Sequence, residues 1–212
     1  MAKLILLRHL QSQWNEENRF NGWVDTPLAE GQSKTAEELA RKVFQFKIDK
    51  IYCSRLFRNM DTVARMLEYD KKYPLFIQLD DKKMQKWGNF TDLSKEDIPV
   101  YVTEKLNERY YGKLQGTNKE KLMEKYGEKQ VRLWRRSWSQ APPGGESLKD
   151  VYKRAVPFFK KYVETDLKRG ENVLVVASHN SLRALVKYLE KISDEEIANL
   201  EIPYAGIKEY DF

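Results

Sequence analysis

The sequence predicts a single α/β domain over residues 1–212, built on a mainly parallel central sheet with helices on both faces. Three observations carry this. Short apolar runs of β character alternate with stretches of helical period along the chain. The two most apolar runs, Lys3–Arg8 (KLILLR) and Asn172–Ala177 (NVLVVA), lack the polar alternation of a half-exposed strand and read as buried strands. A chain of 212 residues, 41% hydrophobic and 33% charged, is large enough for one core and too apolar for disorder.

The elements run in order. After Lys3–Arg8, residues 9–25 show no apolar period and carry Asn, Gly and Asp, which predicts a functional loop. Leu28–Phe46 predicts a helix with Ala36, Leu39, Ala40 and Val43 on one face. Lys50–Cys53 predicts a strand, Leu56–Leu67 a helix, and Leu75–Leu79 a further short strand. Residues 80–118 are weakly periodic and predict long loops with at most one short helix. Asn118–Tyr126 and Glu128–Arg136 predict helices, and Pro142-Pro143-Gly144-Gly145 a break. Glu146–Thr165 predicts a helix that Pro157 should kink. Asn172–Ala177 is the clearest strand, followed by a helix over Ser181–Lys191 with Ser181 as N-cap. Ser193–Leu200 opens on a capping-box pattern, SDEE.

Composition removes several classes of function. No run reaches the roughly 20 apolar residues of a membrane helix. The apolar N-terminal run is too short for the core of a secretory signal. One cysteine, Cys53, allows no internal disulfide, and two histidines with one cysteine offer no spacing for a metal cluster. A cytoplasmic location is the default expectation. The formal net charge of +6 is spread along the chain without a basic block, and no basic–aromatic strand motif points to nucleic acid. On charge alone a solvated surface is the plainer reading, and arginines beside the motifs below make a small anionic ligand the more attractive one.

The two histidines stand at matching places. His9 directly follows the first buried strand and His179 lies two residues beyond the clearest one. In a parallel sheet the carboxyl ends of strands share one rim, where sites gather. An imidazole near neutrality is a nucleophile able to accept and return a phosphoryl group. Arg8 adjoins His9, Arg183 follows His179 by four residues, Arg58 opens a helix, and Arg135 and Arg136 are paired. Guanidinium groups bind phosphate oxygens in bidentate fashion, and phosphoryl transfer depends on such charge neutralisation.

Longer motifs narrow this reading. LLRHLQSQWNEENRFNGWVDTPL resembles the R-H-G-E-S-x-W-N and N-R-F-x-G-W-x-D signature of phosphoglycerate mutases in the histidine phosphatase superfamily. SRLFR, LNERYYGKLQGTNK, WRRSW, PPGGESL and HNSLRALVKYLEKIS resemble later blocks of that family, in its order. The blocks run from Lys3 to about Pro203, and LNERYYGKLQG and WRRS point to the cofactor-dependent mutases. The resemblance implies a phosphoglycerate mutase-like fold of the short form. It implies interconversion of 3-phosphoglycerate and 2-phosphoglycerate, primed by 2,3-bisphosphoglycerate and without a metal, and it leaves room for a homo-oligomer.

Carried onto matching positions, the resemblance makes His9 the phosphohistidine nucleophile and Glu108 the general acid/base, whose pKa should be raised for the task. Arg8, Arg58 and the second histidine would clamp the transferring group. Ser12, Asn15, Asn21, Gly22, Tyr111, Lys119, Arg135, Arg136 and Asn180 would contact phosphate and carboxylate. The chain departs from the pattern at four places: Leu10 for Gly, Gln11 for Glu, Asn21 for Thr or Cys, and A-S-H-N-S-L-R where the family reads A-H-G-N-S-L-R. Two placements are open at the last. Either His179 turns back to the phosphate, with Asn180 taking the strained backbone angle and Ser178 hydrogen-bonding nearby, or Ser178 stands in the histidine's place. The first is the working expectation. The chain also runs from the last helix to YAGIKEYDF without the longer tail that covers the site in some members, so weaker exclusion of water is expected.

Two competing readings use the same residues differently. A phosphatase would share His9 and Glu108 but let water attack the phosphohistidine, which leaves Lys119, Arg135 and Arg136 without a second charged end to bind. A non-enzymatic binding protein would not need His9 and Glu108.

Overall fold

The computed structural model describes all 212 residues, Met1–Phe212. Six strands form one sheet: β1 (Lys3–Arg8), β2 (Lys50–Ser54), β3 (Tyr73–Gln78), β4 (Asp97–Thr103), β5 (Val173–Ala177) and β6 (Ile207–Asp211). Their order across the sheet is β3-β4-β2-β5-β1-β6. The first five run parallel, and β6 is antiparallel on β1. The parallel order is made possible by crossovers that include the helices α2 (Ser33–Val43), α3 (Phe57–Tyr69) and α7 (Leu148–Phe158), while α9 (His179–Glu190) leads from β5 to the antiparallel β6.

Alternation along the strands divides the core. Leu4, Leu6, Val173, Val175 and Ala177 pack on one face against Ala155, Phe159, Leu182 and Leu185. Ile5, Leu7, Ile51, Cys53, Leu174 and Val176 pack on the other against Ala36, Leu39, Val63 and Met66. The register Leu4↔Val173 to Arg8↔Ala177 brings the carboxyl ends of β1 and β5 side by side, which sets the rim of the site.

Several elements differ from the sequence reading. Residues 80–118 hold a full interior strand, β4, besides the short helix α4 (Lys82–Trp87). Pro99 masked the strand. It lies beside Leu75 of β3 but precedes Val100, where the register with β2 begins, so its missing N–H falls where the sheet is least complete. The terminal edge strand β6 was also unforeseen, because IKEYD carries the charges that guard an edge. Pro157 does not simply kink its helix. The turn widens to a π turn at Phe159–Val163, and α8 (Glu164–Lys168) continues from it.

The correction that matters most for the site is at the start of α9. Ser178, with extended φ −89° and ψ 165°, is the N-cap and His179 is the first helical residue, two positions earlier than expected. Ser181 lies inside the helix, its Oγ hydrogen donated to the Asn107 carbonyl. The SDEE pattern does close: Ser193 and Glu196 exchange side-chain to backbone bonds, but the element they open is a single 3₁₀ turn, Glu196–Asn199.

Candidate active site

His9 follows β1 and is buried, 2% exposed. Its Nδ1 lies 2.5 Å from the Leu10 carbonyl. A carbonyl only accepts, so Nδ1 carries the proton and Nε2 keeps its lone pair in the neutral ring. Burial and then the charges of Arg58 and Arg8 push the imidazole pKa well below its ordinary value, which leaves it neutral at pH 7. Leu10 occupies its place without strain: its side chain joins the core and its N–H donates to Thr62 Oγ1 at 3.1 Å.

The loop after β1 is held by α1 (Gln13–Glu16). Ser12 caps that helix in a reciprocal box with Asn15. Asn21 Oδ1 accepts from Thr26 Oγ1 at 2.8 Å and from Ser12 Oγ at 3.4 Å, which leaves its NH₂ to face the cavity. Gly22 has φ +53°, and a Cβ there would collide with Gln115 Oε1. The turn it makes lets the Gly22 and Val24 carbonyls accept from Arg58 at 2.8 and 3.0 Å. Arg58 is 1% exposed, with its pKa lowered to about 10 by burial.

Glu108 lies beyond β4 and is buried. Its Oε1 accepts from the Arg109 N–H at 2.6 Å and from Asn180 Nδ2 at 2.8 Å. The Trp23 indole and Arg154 both donate to its carbonyl. Burial alone would raise its pKa, but His179, the Asn180 and Arg109 hydrogen bonds and Arg58 outweigh it, and the carboxyl is held below its ordinary value. This corrects the expectation of a raised pKa for the ligand-free site.

Opposite stand Lys119, the first residue of α5 (Lys119–Tyr126), and Arg135 and Arg136 at the end of α6 (Glu128–Arg136). Burial, then Arg135, Arg8 and Arg136, lower the Lys119 pKa to about 8. Two buried arginines fix the end of α6 from below: Arg109 donates to the Arg135 carbonyl and Arg183 to that of Arg136.

These side chains share one cavity of about 340 Å³. It brings together Arg8, His9, Asn15, Asn21, Gly22, Arg58, Glu108, Tyr111, Lys119, Arg135, Arg136, His179 and Asn180. Ser12 and Ser178 do not line it. Ser12 is spent on capping α1 and on Asn21, and Ser178, fully buried, accepts from Asn59 Nδ2 at 3.2 Å. Asn180 is helical rather than left-handed; no residue between Ser178 and Ser181 has a positive φ. His179 reaches the cavity from the first turn of α9, so no strained turn is needed. Its pKa falls to about 4, burial outweighing the Glu201 contact.

Sequence reasoning missed Arg19, Phe20, Glu201, Pro203 and Tyr204, which also line the cavity. Arg19 and Phe20 lay inside the NRF motif. Glu201 to Tyr204 had no local signal, since they come after the last expected helix. Arg109, fully buried within the LNER block, was likewise not singled out. No group of three His, Cys, Asp or Glu side chains has metal-binding geometry. No helix is long and apolar enough to cross a membrane.

A neutral imidazole with a free Nε2 that shares its cavity with six cationic side chains and the carboxylates of Glu108 and Glu201 defines a pocket for phosphoryl chemistry on histidine. The profile of the histidine phosphatase superfamily (branch 1) matches residues 4–93 and 88–212. The chain is 47% identical to a 2,3-bisphosphoglycerate-dependent phosphoglycerate mutase of Methanococcus vannielii, over 96% of this chain and 87% of that protein. It is 44% identical to one of Chlamydia pneumoniae, over 96% and 90%. Among solved structures, mycobacterial hydrolase 1 superposes with a TM-score of 0.78 at 23% identity, over 99% of this chain and 88% of the other. The alpha-ribazole phosphatase of Shigella flexneri superposes with 0.74 at 21%, over 99% and 90%, and at such identity both show the fold alone. The chain belongs to the histidine phosphatase superfamily and, within it, to the 2,3-bisphosphoglycerate-dependent phosphoglycerate mutases.

Proposed function

We infer that this protein interconverts 3-phosphoglycerate and 2-phosphoglycerate through a phosphohistidine at His9. One observation carries the reading: the cavity that holds His9 and Glu108 also holds a separate cationic group, Lys119, Arg135 and Arg136. A substrate with anionic groups at both ends uses both sets, whereas release of phosphate to water needs only the first.

2,3-Bisphosphoglycerate supplies the phosphoryl group that first loads His9. From the loaded state, Glu108 takes the proton of the free substrate hydroxyl as that oxygen attacks phosphorus. The N–P bond breaks and its electron pair returns to His9 Nε2. After the ligand turns, Nε2 attacks the other phosphoryl group, the P–O bond breaks, and Glu108 returns its proton to the leaving oxygen. Arg8, Arg58 and His179 face the transferring group, where developing charge is best neutralised. The anionic ligand itself offsets the positive field that depresses the Glu108 pKa, so the carboxyl becomes a better proton carrier once the site is filled. A cytoplasmic setting suits a chain whose one thiol, Cys53, is buried and free.

The test is conversion of 3-phosphoglycerate to 2-phosphoglycerate with and without 2,3-bisphosphoglycerate, a metal chelator being present throughout. Primer-dependent conversion that survives the chelator and is lost in His9→Ala is expected. Release of inorganic phosphate as the main product would replace this reading with a phosphatase.

A further inference from the structure

Glu201 is a carboxylate among the cations. Its oxygens lie 3.7 Å from Arg8 Nη1 and 3.2 Å from His179 Nε2, and they pair with Arg136. The neighbouring backbone is pinned to the same side chains. Arg8 donates to the Ile202 carbonyl and stacks its guanidinium 3.8 Å from the Tyr204 ring centre, while the Ile202 N–H points to His179 Nε2 at 3.4 Å. Beyond it, Ala205 N–H donates to the His9 carbonyl at 3.3 Å. The segment is therefore docked on the site, and the Glu201 side chain, 51% exposed, reaches the cavity from it. Glu201 also lines an adjoining cavity of about 300 Å³, so its carboxylate has room to withdraw.

Its two cationic partners span the site. Arg8 adjoins His9, at the reacting end, and Arg136 belongs to the far group. An anionic ligand therefore meets a like charge wherever it engages either end, and the repulsion grows with ligand charge. A monophosphorylated glycerate carries roughly three negative charges and the bisphosphate roughly five near neutral pH. Six cationic side chains face two carboxylates in the cavity, Glu108 and Glu201, and only Glu108 has a place in the chemistry.

Resting on the mutase reading, we propose that Glu201 is a specificity-determining residue. Its carboxylate competes with ligand oxygens for Arg8 and Arg136, and so holds the bisphosphate more weakly, relative to the monophosphate, than the cations alone would. The primer then loads His9 without lingering in the cavity against substrate.

The test is calorimetric titration with 3-phosphoglycerate and, separately, 2,3-bisphosphoglycerate, carried out throughout on proteins that also carry His9→Gln and so accept no phosphoryl group. In Glu201→Gln, affinity for the bisphosphate should rise about tenfold and that for the monophosphate about threefold or less, with the difference shrinking in high salt. Glu201→Asp, which keeps the charge, should leave the ratio of the two affinities within about 1.5-fold of the starting protein. Should Glu201→Gln not fold, Glu201→Ala carries the same expectation. Equal tightening of both ligands, no change, or weakening of both would overturn the proposal, as would an Asp ratio shifted as far as that of Gln. Conversion of 3-phosphoglycerate is measured on the matching proteins with His9 in place. Its absence in the unsubstituted protein removes the mutase reading, whereas conversion with an unshifted ratio removes only the role of Glu201.

Discussion

Glu108 and Lys119 show how different neighbours act on two charges of opposite sign. Against the upward push of burial, His179, the hydrogen bonds from Asn180 and the Arg109 N–H, and Arg58 hold the Glu108 carboxyl below its ordinary pKa, whereas burial and then Arg135, Arg8 and Arg136 push Lys119 down to about 8. Glu108→Gln keeps the shape and loses the proton site, so turnover should fall by about 10²–10⁴-fold while 3-phosphoglycerate still binds. Steady-state kinetics with calorimetry check this, and a loss under tenfold would remove Glu108 from the proton path. Lys119 is charged below its pKa and neutral above it. The Michaelis constant should therefore rise as pH climbs through about 8 and beyond, and this rise should vanish in Lys119→Ala. His179 lines the cavity and Ser178 does not, so His179→Ala should lower turnover by about 10²–10³-fold. Ser178→Ala should lose only its bond to Asn59, on the order of 1 kcal/mol of stability, with turnover little changed. A larger loss of turnover in Ser178→Ala than in His179→Ala would reverse the two assignments. The motif placed both residues at the strand end. Which one lines the cavity depended on where α9 begins.

At the scale of elements, the site depends on helix ends. The first turn of α9 presents His179 and Asn180, and the last turn of α6 presents Arg135 and Arg136. Arg183 ties the two together. It is fully buried and donates to Asn180 Oδ1, the Arg136 carbonyl and the Ile197 carbonyl. Arg183→Leu leaves those acceptors unsatisfied in the interior. It should lower unfolding free energy by at least about 2 kcal/mol and weaken substrate binding through Arg136, while phosphorylation of His9 by a small phosphoryl donor persists. Urea denaturation and labelling of His9 read the two effects separately, and unchanged stability would show that the bonds are dispensable. The period of α2 and α6 and the apolar runs of β1 and β5 were plain in the chain, because burial on a regular element repeats at a regular spacing. Strand β4 was not, because Pro99 and Asp97 speak against a strand locally and only the neighbours β3 and β2 complete it. The early start of α9 was hidden for a related reason. Ser178 caps with its backbone conformation while its hydroxyl serves Asn59, which is 119 residues away in the chain.

At the scale of the molecule, a positive cavity with two neutral imidazoles, His9 buried and His179 mostly so, makes the fold sensitive to acid. Both histidines have folded-state pKa values below 6.5, about 4 for His179. Below pH 6.5 the unfolded chain takes up protons that the folded chain refuses, so stability is full above that pH and falls between 6.5 and 4. The loss from His179 alone is on the order of 3 kcal/mol by pH 4. Glu108 and Glu201, with lowered pKa values, add a further loss below the ordinary carboxylate range. The urea midpoint should drop between about pH 7 and 5, and His179→Gln should flatten part of that slope; a midpoint constant over this range would contradict the neutral rings. The chain on its own determined the alternating architecture, the buried strands and the residue types of the site, since periodicity, caps and motif spacing are written in contiguous residues. Tertiary structure decided the rest. Glu201 enters the site from a segment with no local signal, Arg109 and Arg183 brace it from the interior, and the Glu108 carboxyl is driven down where its task asks for it to be raised. Each of these depends on the distance and burial of charges far apart in sequence, and those distances exist only once the sheet has closed its rim.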